Sequence, residues 1–362
     1  STLQGLSLHF VQTGCRYCDI SAKRNLLALN VAAAFGRLQH NRGLKNRSSR
    51  MLIFTLKRFA LAALILFVAV TLMFLMIRAV PGDPVQIMLG PRATPELQAR
   101  LTAELALDQP IFRQLIIFYG NMLQGDLGTD VFSGRAVTQI VFQQLPFTLE
   151  LIFGSIIWSA ALGIFLGAYA ASYPNTLIDR MVAIVSVSFV AAPAFVVALL
   201  SLLLFAVHLR WFPAIGAGNG FWDRMDHLVL PSFAIGLSWV GYIARLVRAS
   251  MLEVLGEHHI RTARAFGLAE RRIVMVYALR IAILPVVTVI GVGMGFLLSS
   301  AVFAEIVFAR PGLGKLVIDS ITTRNYPIVM GSVLVSTGLF VVSTALADLV
   351  NAWLDPRARS AK

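Results

Sequence analysis

The chain has 362 residues, of which 57% are hydrophobic and 14% charged, and its mean hydropathy is +0.77. A chain this apolar is not built to dissolve as a globule, so lipid is its solvent. The formal charge of +13 does not signal nucleic acid, because the Lys and Arg residues fall between apolar runs, without a basic stripe interleaved with aromatics.

Residues 1–50 form a basic extension rich in Arg and Asn, with Asp19 as its one acidic residue. The extension is expected to be disordered or to precede a functional start at Met51. It is not a secretory signal, since the first apolar run comes too late and is too long for a cleavable segment. Cys15 and Cys18, the two cysteines of the chain, form a CxxC pair near His9. With no second pair they read as two free thiols rather than a zinc site, and no disulfide framework is available.

Six apolar runs follow, at about 59–77, 150–171, 181–207, 229–247, 282–304 and 327–347. Each is long enough to cross roughly 30 Å of hydrocarbon as a helix. The fold expected is an all-α membrane domain over 51–359 with no further large soluble domain. Six spans put both ends on one side. With the ends cytoplasmic, the inner segments carry 21 Lys and Arg against ten outside, or 13 against ten once residues 1–50 are set aside. The positive-inside rule therefore favours both termini in the cytoplasm.

The long loop 78–149 has helix signals of its own. Thr94-Pro95-Glu96 supplies an N-cap, a first-turn proline and an acidic first turn, and Gln109-Pro110 opens a second helix to about Leu123. These helices are expected on or near the outer face, either covering the mouth of a pathway or serving as a packed cap. Within the runs, Gly163 and Gly167 form one GxxxG and Gly291 and Gly295 another, with Gly293 between them; small residues at this spacing let helices approach closely in lipid. Pro193 and Pro285 are expected to bend their helices. Arg310, Lys315 and Arg324 read as cations of a solvated outer loop, with contact to a docked protein or a peptide carboxylate as the alternative.

All six histidines lie outside the runs or, like His208, at their ends. No chain of intramembrane acids suggests a proton relay or a sodium cage. Asp348 and Glu305 sit at run ends, where snorkelling or a local partner accounts for them. No GxxxxGK[ST] phosphate loop occurs, and Gly312-Leu313-Gly314-Lys315 lacks the spacing. If ATP supplies energy, another polypeptide binds it, and this chain is not itself expected to be an enzyme.

The loop between the fourth and fifth runs is the most informative stretch. Glu253, Glu257, Arg261 and Arg264 follow helical spacing, with Glu257 and Arg261 in the favourable i,i+4 order. Ile260, Ala263 and Phe266 or Gly267 make an adjacent, less polar stripe, and Gly267 suits a left-handed C-terminal position. Such a helix at a membrane face is either a knob for a groove in a soluble partner or a solvated loop helix. Three classes remain open on this basis: a subunit of an ATP-driven transporter, an ion-coupled secondary transporter or channel, and an assembly factor.

The Ala263-Arg264-Ala265-Phe266-Gly267 stretch, followed by Leu284-Pro285, resembles the EAA loop of ABC importer permeases in its dipeptide, oligopeptide and nickel permease form. Pro81-Gly82-Asp83-Pro84, Gly125-Asp126-Leu127-Gly128, Leu145-Pro146-Phe147-Thr148-Leu149-Glu150, Arg245-Leu246-Val247-Arg248-Ala249-Ser250-Met251, Pro311-Gly312-Leu313-Gly314 and Trp353-Leu354-Asp355-Pro356-Arg357 are similar to recurring segments of that family, in order. Two departures stand out. Thr262 or Ala263 takes the place of the leading glutamate, and Gly267 lies further from Leu284-Pro285 than in the general motif. The resemblance implies a type I importer permease fold and a first permease of a pair, working in the inner membrane by alternating access. Its partners would be a second homologous permease, two cytoplasmic ATPase subunits that bind the ATP and Mg, and an external solute-binding protein. Glu257, Arg261, Ala263, Arg264, Ala265, Phe266, Gly267 and Leu268 would form the ATPase-coupling loop, with Ala263 allowing a close fit. Dipeptides, oligopeptides, glutathione and nickel chelates are the substrates the family suggests.

Overall fold

The computed structural model describes residues 57–77, 79, 85, 94–104 and 107–354. Residues 1–50, Met51, the Pro81-Gly82-Asp83-Pro84 segment and Asp355-Pro356-Arg357 lie outside them. The chain divides into two compact units, 1–61 and 62–362, and the contacts below belong to the second.

Helices account for nearly all regular structure among the described residues. In chain order they are α1 (Lys57–Ile77), α2 (Pro95–Glu104), α3 (Ile111–Leu123), α4 (Val137–Ser172), α5 (Leu177–Ala191), α6 (Ala194–Ser201), α7 (Phe221–Leu255), α8 (His258–Ala265), α9 (Leu284–Val307), α10 (Leu313–Thr322) and α11 (Tyr326–Leu354). Leu202–His208 continues α6 with π-helical geometry, and a contiguous helical stretch made of Glu270–Arg272, the π-helical Ile273–Ala278 and Leu279–Ala282 links α8 to α9. Among the described residues, five helices are long and apolar enough to cross a membrane, namely α1, α4, α7, α9 and α11. The pair Leu177–Ala191 and Ala194–His208 makes a sixth span if counted as one, bent by 98°. The six apolar runs therefore fall in these five helices and the bent pair.

The two prolines act differently. Pro193 has no N–H to donate and pushes Ala192 to extended geometry (φ −77°, ψ 119°). The helix ends there, and a new one starts when Val196 and Val197 donate to the Pro193 carbonyl. Pro285 instead occupies the first turn of α9, where a missing N–H costs nothing, so it starts a helix rather than bending one. Two other prolines, Pro146 in α4 and Pro231 in α7, lie inside long helices.

Close approach of α4 and α7 organises the centre. A Cβ on Gly167 would lie 2.5 Å from the Ala244 carbonyl oxygen and 2.7 Å from Val247 Cβ, and one on Gly163 would lie 2.8 Å from Ile243 Cβ. The second glycine set divides between two neighbours: Gly291 and Gly295 admit Ala347 and Phe340 of α11, while Gly293 admits the indole of Trp239 on α7. These contacts are the dispersion packing that holds helices together in lipid, where water supplies no driving force.

Candidate functional site

The residues that the resemblance assigns to ATPase coupling lie on and around one short helix: α8 carries four of the eight, Arg261, Ala263, Arg264 and Ala265, and the others flank its two ends. The turn closes with two backbone bonds, Gly267 N–H to the Arg264 carbonyl (2.9 Å) and Leu268 N–H to the Ala263 carbonyl (3.3 Å). This is the Schellman pattern, and it requires the left-handed conformation that Gly267 adopts at φ +75°. Leu268 then folds back onto the apolar cluster that contains Ala263.

The inward face of α8 differs from the expectation. Ile260 is fully buried and Ala263 nearly so, packed with Met251, Val254, Ile273 and Ala278. Ala263 therefore fits α8 against this chain's own helices and does not lie on an outer docking face. A small-residue stripe looks the same in sequence whichever body it packs against. Glu257, Arg261, Thr262, Arg264, Ala265, Phe266 and Gly267 are exposed, Phe266 at 83%. The spacing-based pairing is also rearranged: Glu257 meets His259 Nδ1 at 3.0 Å rather than Arg261, and Arg264 forks onto Glu270 at 3.1 and 2.6 Å. The Arg264 hydrogen bonds hold the Glu270 carboxyl below the usual carboxylate range. Ala269, Arg271, Arg272 and Met275 line a shallow open depression beside this turn.

At the same end of the bundle, Asp179 at the start of α5 takes a forked ion pair from Arg248 of α7, with Nη2 to Oδ2 at 2.7 Å and Nε to Oδ1 as the second bond. The bidentate geometry ties the first turn of α5 to the last turns of α7, just ahead of α8.

The opposite end of α4, α7 and α9 holds a polar cluster that sequence reasoning missed. Arg310 has no exposed surface, donates to Glu150 of α4 at 2.9 Å and lies 5.9 Å from the Phe147 ring centre. Arg224 of α7 approaches the same carboxylate at 3.7 Å and the same ring at 5.5 Å. Glu305 is likewise fully buried: it accepts from Thr148 Oγ1 at 2.6 Å and from the Lys315 N–H at 3.0 Å. Of the two readings for Glu305, local partners rather than snorkelling describe it, and a solvated loop does not describe Arg310. Lys315 does stay at the surface, paired with Asp319 on its own helix. One signal was present in sequence, the Pro311-Gly312-Leu313-Gly314 run. A Cβ on Gly312 would fall on the Glu305 carboxyl and one on Gly314 on Val302, so both glycines are needed for α10 to seat its N-terminus on that carboxylate.

The Gly125-Asp126-Leu127-Gly128 segment leads into a second buried contact at this end. Asp130 accepts from the Phe132 and Ser133 N–H groups at 3.2 and 3.0 Å, from the Ser133 hydroxyl and from Asn325 Nδ2. Burial would raise its pKa, but these four donors outweigh it and hold the carboxyl below its ordinary value.

Comparison with known proteins agrees with this architecture. Residues 163–360 match the family described as binding-protein-dependent transport system inner membrane component, and residues 51–152 match the N-terminal part of such membrane components. The glutathione transport system permease protein GsiC of Escherichia coli O6:H1 is 35% identical over 309 residues, covering 85% of this chain and 99% of that protein. GsiC of Salmonella paratyphi A is 36% identical over the same spans. A solved structure of the MetNI methionine ABC transporter in an inward-facing conformation superposes with a TM-score of 0.51 at 17% identity, covering 60% of this chain and 97% of that one. The chain belongs to the binding-protein-dependent transport system inner membrane component family and is a permease subunit of an ABC importer.

Proposed function

We propose that this permease pairs with a second, homologous permease subunit, two cytoplasmic ATPase subunits and an external solute-binding protein. ATP and Mg bind to the ATPase chains, and closure of the ATPase pair rocks the permeases between inward-facing and outward-facing states as rigid bodies. Both termini and α8 lie on the cytoplasmic side, as the distribution of Lys and Arg favours. Peptides of two or a few residues, glutathione among them, are the solutes, in keeping with the relatives named above.

The observation that carries the coupling role is the division of α8 into two faces. Ile260 and Ala263 lock it to the transmembrane core, while Phe266 projects almost free beside Arg261, Thr262 and Ala265. A rigidly rooted helix with one exposed aromatic anchor can transmit a push, since an exposed aromatic is the residue type that anchors interfaces. Within this set Phe266, Arg261, Thr262 and Ala265 touch the ATPase, Gly267 and Leu268 shape the turn, and Arg264 with Glu270 braces it.

Co-purification from detergent tests the assembly. The unmodified chain is expected to bring a second permease and a P-loop ATPase. Gly267→Pro, which cannot adopt φ +75°, is expected to lose the ATPase and keep the permease. If the unmodified chain purifies alone and moves solute in vesicles without ATP, an ion-coupled or passive mechanism replaces this one.

A further inference from the structure

The transport reading leaves α3 unused, although its contacts define how it meets the membrane. Phe118 packs against Phe74 of α1 with ring centres 6.0 Å apart, and Tyr119 stacks on Phe67 at 5.1 Å. Phe67 and Phe74 are seven residues apart, or about 10 Å along α1, whereas Phe118 and Tyr119 are neighbours about 1.5 Å apart along α3. Two adjacent residues of α3, with ring centres 6.1 Å apart, thus reach partners two turns apart on α1, and we read this as α3 lying across α1 with its side chains on either side of the crossing. The level of the crossing is Thr71, whose hydroxyl shares a 2.7 Å hydrogen bond with the Tyr119 hydroxyl. Thr71 is six residues from Ile77, the last residue of the apolar run before Arg78, which puts α3 about 9 Å below that end of the run.

The two sides of α3 differ in chemistry. Tyr119 marks the side toward the middle of α1, since it reaches Phe67. At about 100° per residue, Phe112, Leu123 and Ile116 lie within roughly 60° of the Tyr119 direction, and Gln114 and Asn121 point the opposite way. Phe112 is 74% exposed, Ile116 57% and Leu123 81%. The α1 surface around the crossing is of the same kind, with Leu64, Val68, Leu72 and Leu75 all exposed. The Tyr119 hydroxyl also bonds to the Phe67 carbonyl at 2.9 Å, so a polar atom at this depth is satisfied within the protein, as hydrocarbon demands.

We propose that α3 is an interfacial membrane helix, sunk transversely into one leaflet beside α1, with Phe112, Ile116 and Leu123 among the lipid acyl chains and Asn121 toward the headgroups. We assign lipid as the partner of this face because it continues the exposed apolar surface of α1, a helix of membrane-spanning length, at a depth of about 5–10 Å, the range interfacial amphipathic helices occupy. Which leaflet holds α3 rests on the topology proposed above; its depth does not.

Site-directed spin labelling tests the depth. The full chain with Cys15→Ser and Cys18→Ser carries one nitroxide at Phe112→Cys, Ile116→Cys, Leu123→Cys or Asn121→Cys, with its co-purifying partners, in vesicles of phosphatidylethanolamine and phosphatidylglycerol. Oxygen collisions are expected to exceed those with a water-soluble nickel chelate at 112, 116 and 123, and the order to reverse at 121. Chelate dominance at all four positions, which means a helix in water, overturns the proposal. So does low accessibility to both reagents at 112, 116 and 123, which means a protein cover such as the second permease. A diazirine-bearing phospholipid photolysed with the unmodified chain gives a second readout: adducts on 111–123 are expected, and adducts on α1 but none on α3 overturn the proposal. Neither readout depends on ATPase binding, so this proposal and the importer assembly fail separately.

Discussion

Gly312→Ala should destabilise the protein through the Glu305 side chain, which lies seven residues back in sequence but directly against Gly312 in the fold, a claim that a double-mutant cycle can refute. Gly312 has φ 168°, extended geometry open to any residue, so alanine meets no backbone penalty there. Its Cβ would instead overlap the Glu305 carboxyl group. That group has nowhere to go, because Thr148 Oγ1 donates to it at 2.6 Å and the Lys315 N–H at 3.0 Å, and Thr148 itself accepts the Leu313 N–H at 2.8 Å. Displacing the carboxyl group leaves the Thr148 hydroxyl and the Lys315 N–H without their acceptor, at about 1–3 kcal/mol each, so the expected loss is roughly 2–6 kcal/mol. Glu305→Ala forfeits the same bonds and should cost a similar amount. The double variant places the new methyl group in vacated space, so its loss should stay near that of Glu305→Ala alone, with a coupling of roughly 2 kcal/mol or more between the sites. Thermal and denaturant unfolding of the purified chains, followed by tryptophan fluorescence, measures all three. Additive losses would show that the Gly312 effect does not act through Glu305.

Other expectations follow from single contacts. Phe266→Ala, at an 83% exposed position, should leave unfolding unchanged within about 0.5 kcal/mol while weakening ATPase association by roughly 1.5–3 kcal/mol, measured by titrating the ATPase onto immobilised permease. Gly167→Val must push against the Ala244 carbonyl and Val247, and should lower stability by about 1–3 kcal/mol, whereas Gly338→Ala, with nothing within 4 Å of the new atom, should not; melting temperatures compare them. The Asp130 carboxyl is held below its ordinary value when folded, so its stabilisation is present above the unfolded pKa and is lost as pH falls through the folded one. The stability gap between the unmodified chain and Asp130→Ala should therefore be full near neutral pH and shrink in acid below about pH 4, followed by melting at stepped pH.

Much of the fold was legible because its signals are local. A run of apolar side chains long enough to cross hydrocarbon reads as a span whatever surrounds it, and all six runs sit in membrane-length helices or in the broken pair. The end of α8 was legible for the same reason, since a glycine after a helical stripe carries its own capping chemistry at Gly267. Pro193 marked where a helix would fail, but the 98° turn depends on what α6 packs against. The direction of α8 was misread because Ile260 and Ala263 form an apolar stripe that serves equally well against a partner or against Met251 and Ile273.

Composition and periodicity alone account for a helical membrane protein, for the sites of its spans and for a short capped helix in the loop before α9. Those features arise from interactions within a few residues or with the solvent. The burial of Glu305 and Arg310, the ion pair between Asp179 and Arg248, and the crossing of α3 over α1 exist only in the folded chain. Each joins residues about 50 to 160 positions apart, as Tyr119 joins Phe67 and Arg310 joins Glu150, so its energy depends on backbone paths that no local pattern specifies.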